Sequence, residues 1–328
     1  MIDIDKIIAA APENFVIQDA LIRCAEIIDS HNKIMCSVSG GADSDVMLDM
    51  IIRCGGKEKT AFAFFNTGIE YRATLDHLSC LEAKYGIEIE RVQATQAIPT
   101  CVKRYGVPFL NKEVSGNIYY LQMHGFEWED ESYDSLIRKY PGCKVPLRWW
   151  CNCGRGDTQA SSRFMIKRHS YLKEFLMSNP PEFMISNKCC HYAKKLPSKQ
   201  YEKKHGFDLK CLGIRKAEGG VRSIQYKTCF TECAAIDQFR PVFWLRDSDM
   251  SEYCNHYGIE HSKCYSEYGF TRTGCSGCPF NLQIERDLES IQQYEPQMYK
   301  LSHAVFGQSY EYTRMYHQFR EKMKGMKG

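Results

Sequence analysis

The sequence predicts an α/β protein with a doubly wound, mostly parallel sheet. Short apolar runs alternate with segments of helical periodicity between residues 17 and 94, and this alternation is typical of parallel strands joined by helices. A glycine-rich turn lies between the first apolar run and the helical segment that follows it. Because ligands bind at the carboxyl ends of the strands in such sheets, this turn marks the expected ligand site.

The individual elements follow from the spacing of apolar residues, since a period near 3.6 predicts a helix and a continuous apolar run predicts a buried strand. The first elements predicted are a helix over 17–31, a strand over 33–39, a helix over 43–54, a strand over 60–66, a helix over 71–85 and a strand over 87–94. Later elements are a helical segment over 158–177, a strand over 207–214, and helices only from residue 281, with breaks near Pro296 and Gly307.

The region 125–157 interrupts the alternation. It contains an acidic run over 127–131, two adjacent tryptophans, and the closely spaced Cys151 and Cys153. We interpret it as an insertion or lid on the α/β domain that contains the glycine-rich turn and spans residues 1–280. Residues 281–328 are then a C-terminal helical extension.

The composition is that of a cytoplasmic enzyme. With 328 residues, 44% of them hydrophobic, the chain is long enough to bury a large core. A net charge of +3 is too small to indicate a partner. Residues 1–15 contain acids and no long apolar run, so we expect no signal peptide and no membrane span. Most of the 17 cysteines stand singly in apolar segments, which indicates reduced core residues.

The glycine-rich turn has the composition of an anion-binding loop. Its residues are Ser39, Gly40, Gly41, Ala42, Asp43 and Ser44. The helix that follows leaves backbone N–H groups unpaired at its start, and its dipole adds partial positive charge there. The glycines allow close approach of the backbone, the serines offer hydroxyl donors, and Asp43 can cap the helix or help to hold Mg²⁺. The alternative is an ordinary strand-to-helix turn.

Four cysteines form the second constellation. Cys189 and Cys190 are adjacent, and Cys275 and Cys278 form a C-x-x-C pair far along the chain. Four thiolates of this kind can converge on one soft metal centre, either zinc or an iron–sulfur cluster. The spacing alone does not choose between the two.

These motifs together resemble a known family. The loop is similar to the pyrophosphate-binding Ser-Gly-Gly-x-Asp-Ser loop of the adenine-nucleotide alpha-hydrolase superfamily. The segment from Cys189 to Pro197, with Cys275 and Cys278, resembles the cluster pattern of phosphoadenylyl- and adenylyl-sulfate reductases, although Ala193 replaces an arginine of that pattern. The resemblance implies the superfamily fold and a [4Fe–4S] cluster on the four cysteines, with zinc as the less favoured metal.

Two further segments extend the resemblance and imply more site residues. Thr67 and Gly68 match the family's Asp-Thr-Gly segment, and Arg215 and Arg222 match an element that brings arginines to phosphates. The resemblance thus implies that the bound nucleotide, ATP or an adenylyl sulfate, is held by Ser39, Gly40, Gly41, Asp43, Ser44, Thr67, Gly68, Arg215 and Arg222. It implies catalytic roles for Asp43, Lys194 and Arg215.

One part of the family pattern is absent. Sulfonucleotide reductases attack with a cysteine in a C-terminal Glu-Cys-Gly-x-His tail, and no cysteine follows Cys278 in this chain. We therefore expect ATP-dependent adenylylation with pyrophosphate release, coupled to sulfur transfer. One alternative is a reductase that uses another thiol, with four candidates: Cys151, Cys153, Cys229 and Cys233. A third hypothesis is a non-catalytic nucleotide-sensing or nucleic-acid-binding module.

The expected partners follow from this chemistry. Beside an adenine nucleotide, the reaction needs a sulfur donor or a reductant protein. A nucleic-acid acceptor would be bound by the aromatic and basic C-terminal segment, where bases could stack on Tyr310, Tyr312, Tyr316 and Phe319.

The family resemblance predicts a measurable cofactor. Protein purified without oxygen should be brown and should contain about four irons and four sulfides per chain. Iron and acid-labile sulfide analysis, with the visible absorption spectrum, checks this. Stoichiometric zinc without sulfide would contradict it.

Overall fold

The computed structural model describes residues 2–153, 165–219 and 225–326. It divides into two compact units, each built from two segments of the chain. Unit 1 comprises Met1–Thr95 and Ala193–Ser276, and unit 2 comprises Gln96–Tyr192 and Gly277–Gly328. The domain boundary expected at residue 280 stays a prediction.

The chain builds the two units alternately. The first segment of unit 1 contains α1 (Ile4–Ala9), α2 (Phe15–Ser30), β1 (Ile34–Ser37), α3 (Ala42–Arg53), β2 (Thr60–Asn66), α4 (Arg72–Tyr85) and β3 (Ile89–Gln93). The first segment of unit 2 contains α5 (Ile98–Tyr105), α6 (Lys112–Met123), α7 (Tyr133–Lys139), α8 (Lys144–Trp150), α9 (Leu172–Ser178) and α10 (Lys188–Cys190). A π-helical turn follows over His191–Lys195.

The second segment of unit 1 contains α11 (Leu196–His205), β4 (Leu209–Leu212), β5 (Phe230–Thr231), β6 (Asp237–Phe239), α12 (Asp247–Tyr257) and α13 (Lys263–Ser266). The second segment of unit 2 contains α14 (Ile284–Tyr294) and α15 (Pro296–Gly325). None of the helices in the described ranges combines the length and apolarity that a membrane crossing requires.

The sheet of unit 1 confirms the predicted α/β fold. Its strand order is β3-β2-β1-β4-β6-β5, and all neighbours pair in parallel except β5 and β6. The order reverses between β1 and β4. Ser37, the last residue of β1, lies opposite Ala63 of β2 and Leu212 of β4. The carboxyl ends of these central strands therefore meet at one edge, at the point where ligands bind in such sheets.

The core of unit 1 explains why these segments form their elements. Ile34, Met35 and Cys36 are fully buried in β1, as expected of a strand covered on both faces. Every residue of α3 from Ser44 to Ile51 is buried, including two aspartates. The predicted strands and helices before residue 95 agree with the structure to within three residues at each end. The strand predicted over 207–214 is also confirmed, as β4.

Unit 2 is helical in its described residues, and the region 125–157 contributes to its core. Leu147, Trp149 and Trp150 of α8 are buried against helices α6 and α7 and the aromatic residues around Phe126. The acidic run is solvated, with Lys139 paired to Glu129 and Glu131.

Two predicted helical features of unit 2 are wrong. The segment 158–177 is not one helix in its described part, because Tyr171 adopts a φ of 59° between a 3₁₀ turn at Ile166–Arg168 and α9. Residues 158–164 of that prediction lie outside the described residues. The predicted break at Gly307 is absent, since α15 continues through it with Phe306 and Tyr310 buried beside it. Tertiary packing there outweighs the roughly 1 kcal/mol that a helical glycine costs. The break at Pro296 is confirmed.

Gly106 provides a test of how unit 2 is held together. Its φ is 100°, and an added Cβ would lie 2.1 Å from the carbonyl oxygen of Met184. The bridge between the next residues, Val107 and Ile185, holds the two backbone segments together at this point. Gly106→Ala should lower the free energy of unfolding by about 3 kcal/mol or more, because a backbone clash adds to the left-handed strain.

Gly125→Ala is the matched control for this prediction. Gly125 has a φ of 66°, but an added Cβ meets nothing within 4 Å. It should cost only the left-handed strain, about 1–2 kcal/mol. Urea unfolding of both variants checks the prediction, and equal losses would contradict it.

Candidate nucleotide site

A cavity of about 560 Å³ lies in unit 1 at the carboxyl ends of β1 and β4. It is bounded by the glycine-rich turn, by the residues that follow β4, and by the segment after α13. Its lining includes Ser39, Gly41, Asp43, Ser44, Glu70, Lys194, Gly213, Arg215, Glu218, Asp247, Tyr265, Arg272 and Thr273. The structure thus brings most of the residues predicted to bind the phosphates around one space.

The turn itself is held in shape by its own residues. Gly40 has a φ of 68°, and an added Cβ would lie 2.9 Å from Thr74 of α4. The backbone N–H of Ser39 donates a hydrogen bond of 2.9 Å to the hydroxyl of Ser44. Ser44 therefore lines the cavity and also stabilises the turn through this hydrogen bond.

Tyr265 and Thr273 cover the start of α3, and sequence analysis did not identify them. The Tyr265 hydroxyl accepts a hydrogen bond of 3.0 Å from the N–H of Ala42 and lies 3.4 Å from the Thr273 hydroxyl. An added Cβ on Gly41 would lie 3.0 Å from Thr273 Oγ1 and 3.3 Å from Tyr265 Oη. Two hydroxyl groups therefore stand directly over the glycine. No motif in the sequence marks them.

The charged groups of the cavity are paired with one another. The Nε of Arg215 donates to Asp43 Oδ1 at 2.7 Å, and its Nη1 donates to Asp247 Oδ1 at 2.7 Å. Asp247 is exposed, whereas the Asp43 side chain is only 19% exposed. Lys194 also lines the cavity. The site combines three cations, Lys194, Arg215 and Arg272, with carboxylates, and an anionic ligand could replace those carboxylates as partners of Arg215.

Asp43 is poised to change its protonation state near neutral pH. Burial and a hydrogen bond with the Glu218 carboxyl raise the pKa of Asp43 to about 7, while the neighbouring Arg215 opposes this rise. Two carboxyl groups that share a proton carry less negative charge, which favours an anionic ligand beside them.

Three predicted nucleotide ligands lie elsewhere or outside the described residues. Thr67 is buried, and its N–H donates to Glu70 Oε1 at 2.8 Å, while the N–H of Gly68 donates to Asn66 Oδ1 at 2.9 Å. These contacts shape the turn after β2, and its residue Glu70 reaches the cavity. Arg222 lies outside the described residues, so its role stays a prediction.

The four predicted cluster ligands fall in two segments of the chain. Cys189 is buried and Cys190 half-buried on α10, and Cys275 and Cys278 are half-buried. In unit 1, Cys275 forms an isolated bridge with Glu70. Within residues 2–153, 165–219 and 225–326, no group of three or more His, Cys, Asp or Glu side chains is arranged to hold a metal ion. The cluster assignment therefore stays a prediction.

The remaining thiols show no common arrangement. The Cys153 thiol donates to the Cys151 carbonyl at 3.4 Å, and the N–H of Cys233 donates to Asp237 Oδ1 at 2.8 Å. Cys151 is half-buried, and burial together with Cys153 raises the pKa of its thiol to about 11. That shift makes Cys151 a poor nucleophile at neutral pH.

The expected base-stacking surface on the C-terminal segment is wrong for three of its four residues. Tyr310, Tyr312 and Tyr316 are at most 5% exposed. Tyr312 and Tyr316 pack on Phe109 and Phe175 in the core of unit 2. The aromatic spacing reflects core packing and not a surface for nucleic acid.

Comparison with known proteins agrees with the family resemblance. Residues 33–136 match the sequence profile of the phosphoadenosine phosphosulfate reductase domain family. This confirms the predicted resemblance over the segment that contains β1, the glycine-rich turn and α3.

A curated relative adds little about function. An uncharacterized protein of Methanocaldococcus jannaschii is 28% identical over 178 residues, which are 53% of this chain and 34% of that protein. The chain therefore spans about a third of the relative that it matches.

Two solved structures show distant similarity. Phosphoadenylyl-sulfate reductase from Candida auris, in a phosphate complex, is 14% identical with a TM-score of 0.42, and the match covers 83% of this chain and 93% of that one. The U34-tRNA thiolase of Methanococcus maripaludis, with its [4Fe-4S] cluster, is 12% identical with a TM-score of 0.37, covering 93% and 80%. TM-scores below 0.5 are too low to assign a function.

The raised pKa of Asp43 predicts a pH-dependent stability. Its ordinary value is 3.8, so the folded chain holds this proton more tightly than the unfolded chain does. The resulting stabilisation is fully present below about pH 4 and is lost as pH rises through about 7. Asp43→Asn should therefore raise the melting temperature relative to the wild type more at pH 8 than at pH 5.

Asp247→Asn is the control for this measurement. It also removes a carboxylate from Arg215, but the Asp247 side chain is 91% exposed. For this variant, the difference in melting temperature from the wild type should be about the same at pH 5 and at pH 8. A pH-independent difference for Asp43→Asn would refute the assignment.

Proposed function

Because residues 33–136 match the phosphoadenosine phosphosulfate reductase domain family, we propose that this protein is an enzyme that binds an adenine nucleotide in the cavity of unit 1. The proposed reaction is ATP-dependent adenylylation of an acceptor, with release of pyrophosphate, coupled to sulfur transfer. The observation that carries the proposal is the convergence of the glycine-rich turn, Lys194 and Arg215 on one cavity at the carboxyl ends of β1 and β4.

The turn would bind the phosphates. Ser39 and Ser44 offer hydroxyl groups, the hydroxyls of Tyr265 and Thr273 lie over Gly41, and the start of α3 contributes its dipole. A bound phosphate would compete for the N–H of Ala42 with the hydroxyl of Tyr265. Binding would therefore include a small displacement of that side chain.

The cations would stabilise the charge that moves to the leaving group. In adenylylation, the acceptor oxygen bonds to the α-phosphorus while the bond to the pyrophosphate oxygen breaks. Negative charge then grows on the pyrophosphate, and Arg215 and Lys194 line the cavity where it would lie. Arg215 would exchange its exposed partner Asp247 for a phosphate oxygen at little cost, since exposed ion pairs contribute only about 0–1 kcal/mol.

Asp43 and Glu218 would hold Mg²⁺. Their carboxyl groups already share a hydrogen bond, and Mg²⁺ is commonly bound by one or two carboxylates together with substrate phosphates. A cation there would replace the shared proton and would keep the carboxylates from repelling the nucleotide.

The iron–sulfur cluster would be held by Cys189, Cys190, Cys275 and Cys278. Four thiolates have the donor chemistry that such clusters require. When bound, the cluster would supply a site for handling sulfur.

A sulfonucleotide reductase is the second candidate function, and the family match favours it. It requires a thiolate that attacks a sulfate sulfur held at the turn. Of the four thiols considered for this role, Cys151 is disfavoured by its raised pKa.

Nucleotide binding and product analysis test the proposal. Calorimetry should show binding of ATP to the wild type and at least about a 100-fold weaker affinity for Gly41→Val, whose side chain would displace the Thr273 and Tyr265 hydroxyls and distort the turn. Gly274→Ala is the matched control, because an added Cβ meets nothing within 4 Å beside the same cavity. Its affinity should stay within about threefold of the wild type.

Product analysis distinguishes the two reactions. We expect ATP to yield AMP and pyrophosphate in equal amounts, slowly with water as the acceptor. Phosphoadenylyl sulfate or adenylyl sulfate with a thioredoxin system should yield no sulfite. Sulfite formed at an enzymatic rate would favour the reductase, and unchanged ATP affinity in Gly41→Val would place the nucleotide elsewhere.

A further inference from the structure

A Cys–His–Asp arrangement lies in unit 1 behind the glycine-rich turn. Asp45 of α3 is fully buried, and its Oδ2 is 2.9 Å from Nδ1 of His261 and 3.0 Å from Nε2 of His77. The other ring nitrogen of His261, Nε2, lies 3.4 Å from the Sγ of Cys254 on α12. A thiol, an imidazole and a carboxylate are thus connected in the order found in cysteine nucleophiles.

The buried carboxylate is incompletely compensated. Asp45 Oδ1 has no hydrogen-bond partner within the described part of the chain. A buried carboxylate needs a nearby positive charge. The neighbouring His261 can supply one as an imidazolium ion, which would donate to Asp45 through Nδ1 and to Cys254 through Nε2.

The surroundings favour that charged state of His261. Burial lowers its pKa, but the hydrogen bonds with Asp45 and Cys254 outweigh this and raise the pKa to about 10. The groups that face His261 are Asp45 from α3, Cys254 from α12 and the ring of Tyr265 from α13, and His77 from α4 shares Asp45. An imidazolium beside a thiol stabilises the thiolate.

We propose that Cys254, with His261 and Asp45, is a nucleophilic centre that accepts sulfane sulfur from a persulfide donor. Cys254 and His261 are both partly exposed to solvent, the side from which a small donor would approach. The inference rests on the proposed function, because sulfur transfer requires a donor, and it supplies the residue that receives the sulfur.

The step balances without an added oxidant. The Cys254 thiolate attacks the terminal sulfur of a donor R–S–SH. A new S–S bond forms to Cys254, the S–S bond of the donor breaks, and R–S⁻ leaves, while the terminal proton stays on the transferred sulfur. The sulfane sulfur keeps its oxidation state. The product is a Cys254 persulfide whose charged form can stay paired with His261.

The position of the centre fits delivery to the nucleotide site. The ring of Tyr265 lies 5.7 Å from that of His261, and the hydroxyl of the same tyrosine lines the cavity at Ala42. One aromatic side chain therefore separates the thiolate pair from the space where the activated acceptor would be bound.

Alkylation of the intact wild-type protein tests the thiolate. Iodoacetamide labelling, mapped by mass spectrometry, should modify Cys254 at least about tenfold faster at pH 6.5 than the exposed Cys80. A thiol without a charged partner is mostly protonated at this pH and reacts slowly.

Three variants test whether His261 and Asp45 cause the reactivity of Cys254. His261→Gln and Asp45→Asn should each lower the rate at Cys254 at pH 6.5 at least about tenfold. His77→Gln is the matched control, since it removes the other partner of Asp45 and leaves the contact between His261 and Cys254 intact. A rate at Cys254 that follows Cys80 in the wild type, or an equal loss in all three variants, would overturn the inference.

The sulfur step is tested with glutathione persulfide as the donor. A mass increase of one sulfur at Cys254 is expected in the wild type and should be lost in His261→Gln. Pyrophosphate release without this product would overturn the inference and leave the proposed function standing. A Cys254 persulfide formed without AMP and pyrophosphate production would support the inference and contradict the proposed function. Sulfur found only on other cysteines would overturn the inference.

Discussion

Two carboxylates buried on α3 fix the helix that follows the glycine-rich turn. Asp49 accepts hydrogen bonds of 2.8 Å from the hydroxyls of Tyr85 on α4 and Tyr253 on α12. Asp45 accepts from His77 on α4 and lies against His261 after α12. Leaving a buried carboxylate without such a hydrogen-bond partner costs about 1–3 kcal/mol or more. The helix therefore cannot slide between its neighbours, and the turn at its start is held at one position relative to β1.

Side chains from one turn of α3 consequently lie in two different environments. Asp43 and Ser44 face the cavity, whereas Asp45 points into the protein toward the histidines. The cavity contains paired charges that a phosphate can rearrange, whereas Asp45 on the other side is fully buried. The rigid contacts on the buried side of α3 fix the position of the residues that face the cavity. A binding site on a loop is positioned precisely when the loop is attached to such a rigid element.

Sequence reasoning succeeded where one local signal decided the outcome. The apolar run 34–37 and the glycines after it predicted β1, the turn and α3, because burial on both faces and close backbone approach each restrict the residue types allowed. It failed where partners come from distant segments. Tyr265, Thr273 and His261 carry no local pattern, and a buried aspartate such as Asp45 is indistinguishable in sequence from an exposed one. The aromatic residues of α15 were assigned to a surface because helical spacing does not tell core from solvent.

The interleaving of the two units has a consequence for synthesis on the ribosome. Unit 1 has all its residues once residue 276 has emerged, but unit 2 still lacks α14 and α15. Until then Phe109 and Phe175, which Tyr312 and Tyr316 later cover, remain open to water. The nascent chain thus carries a complete unit 1, while the apolar helical surface of unit 2 is still to be covered by residues 277–328. During that interval, chaperone binding to the helical surface would compete with aggregation.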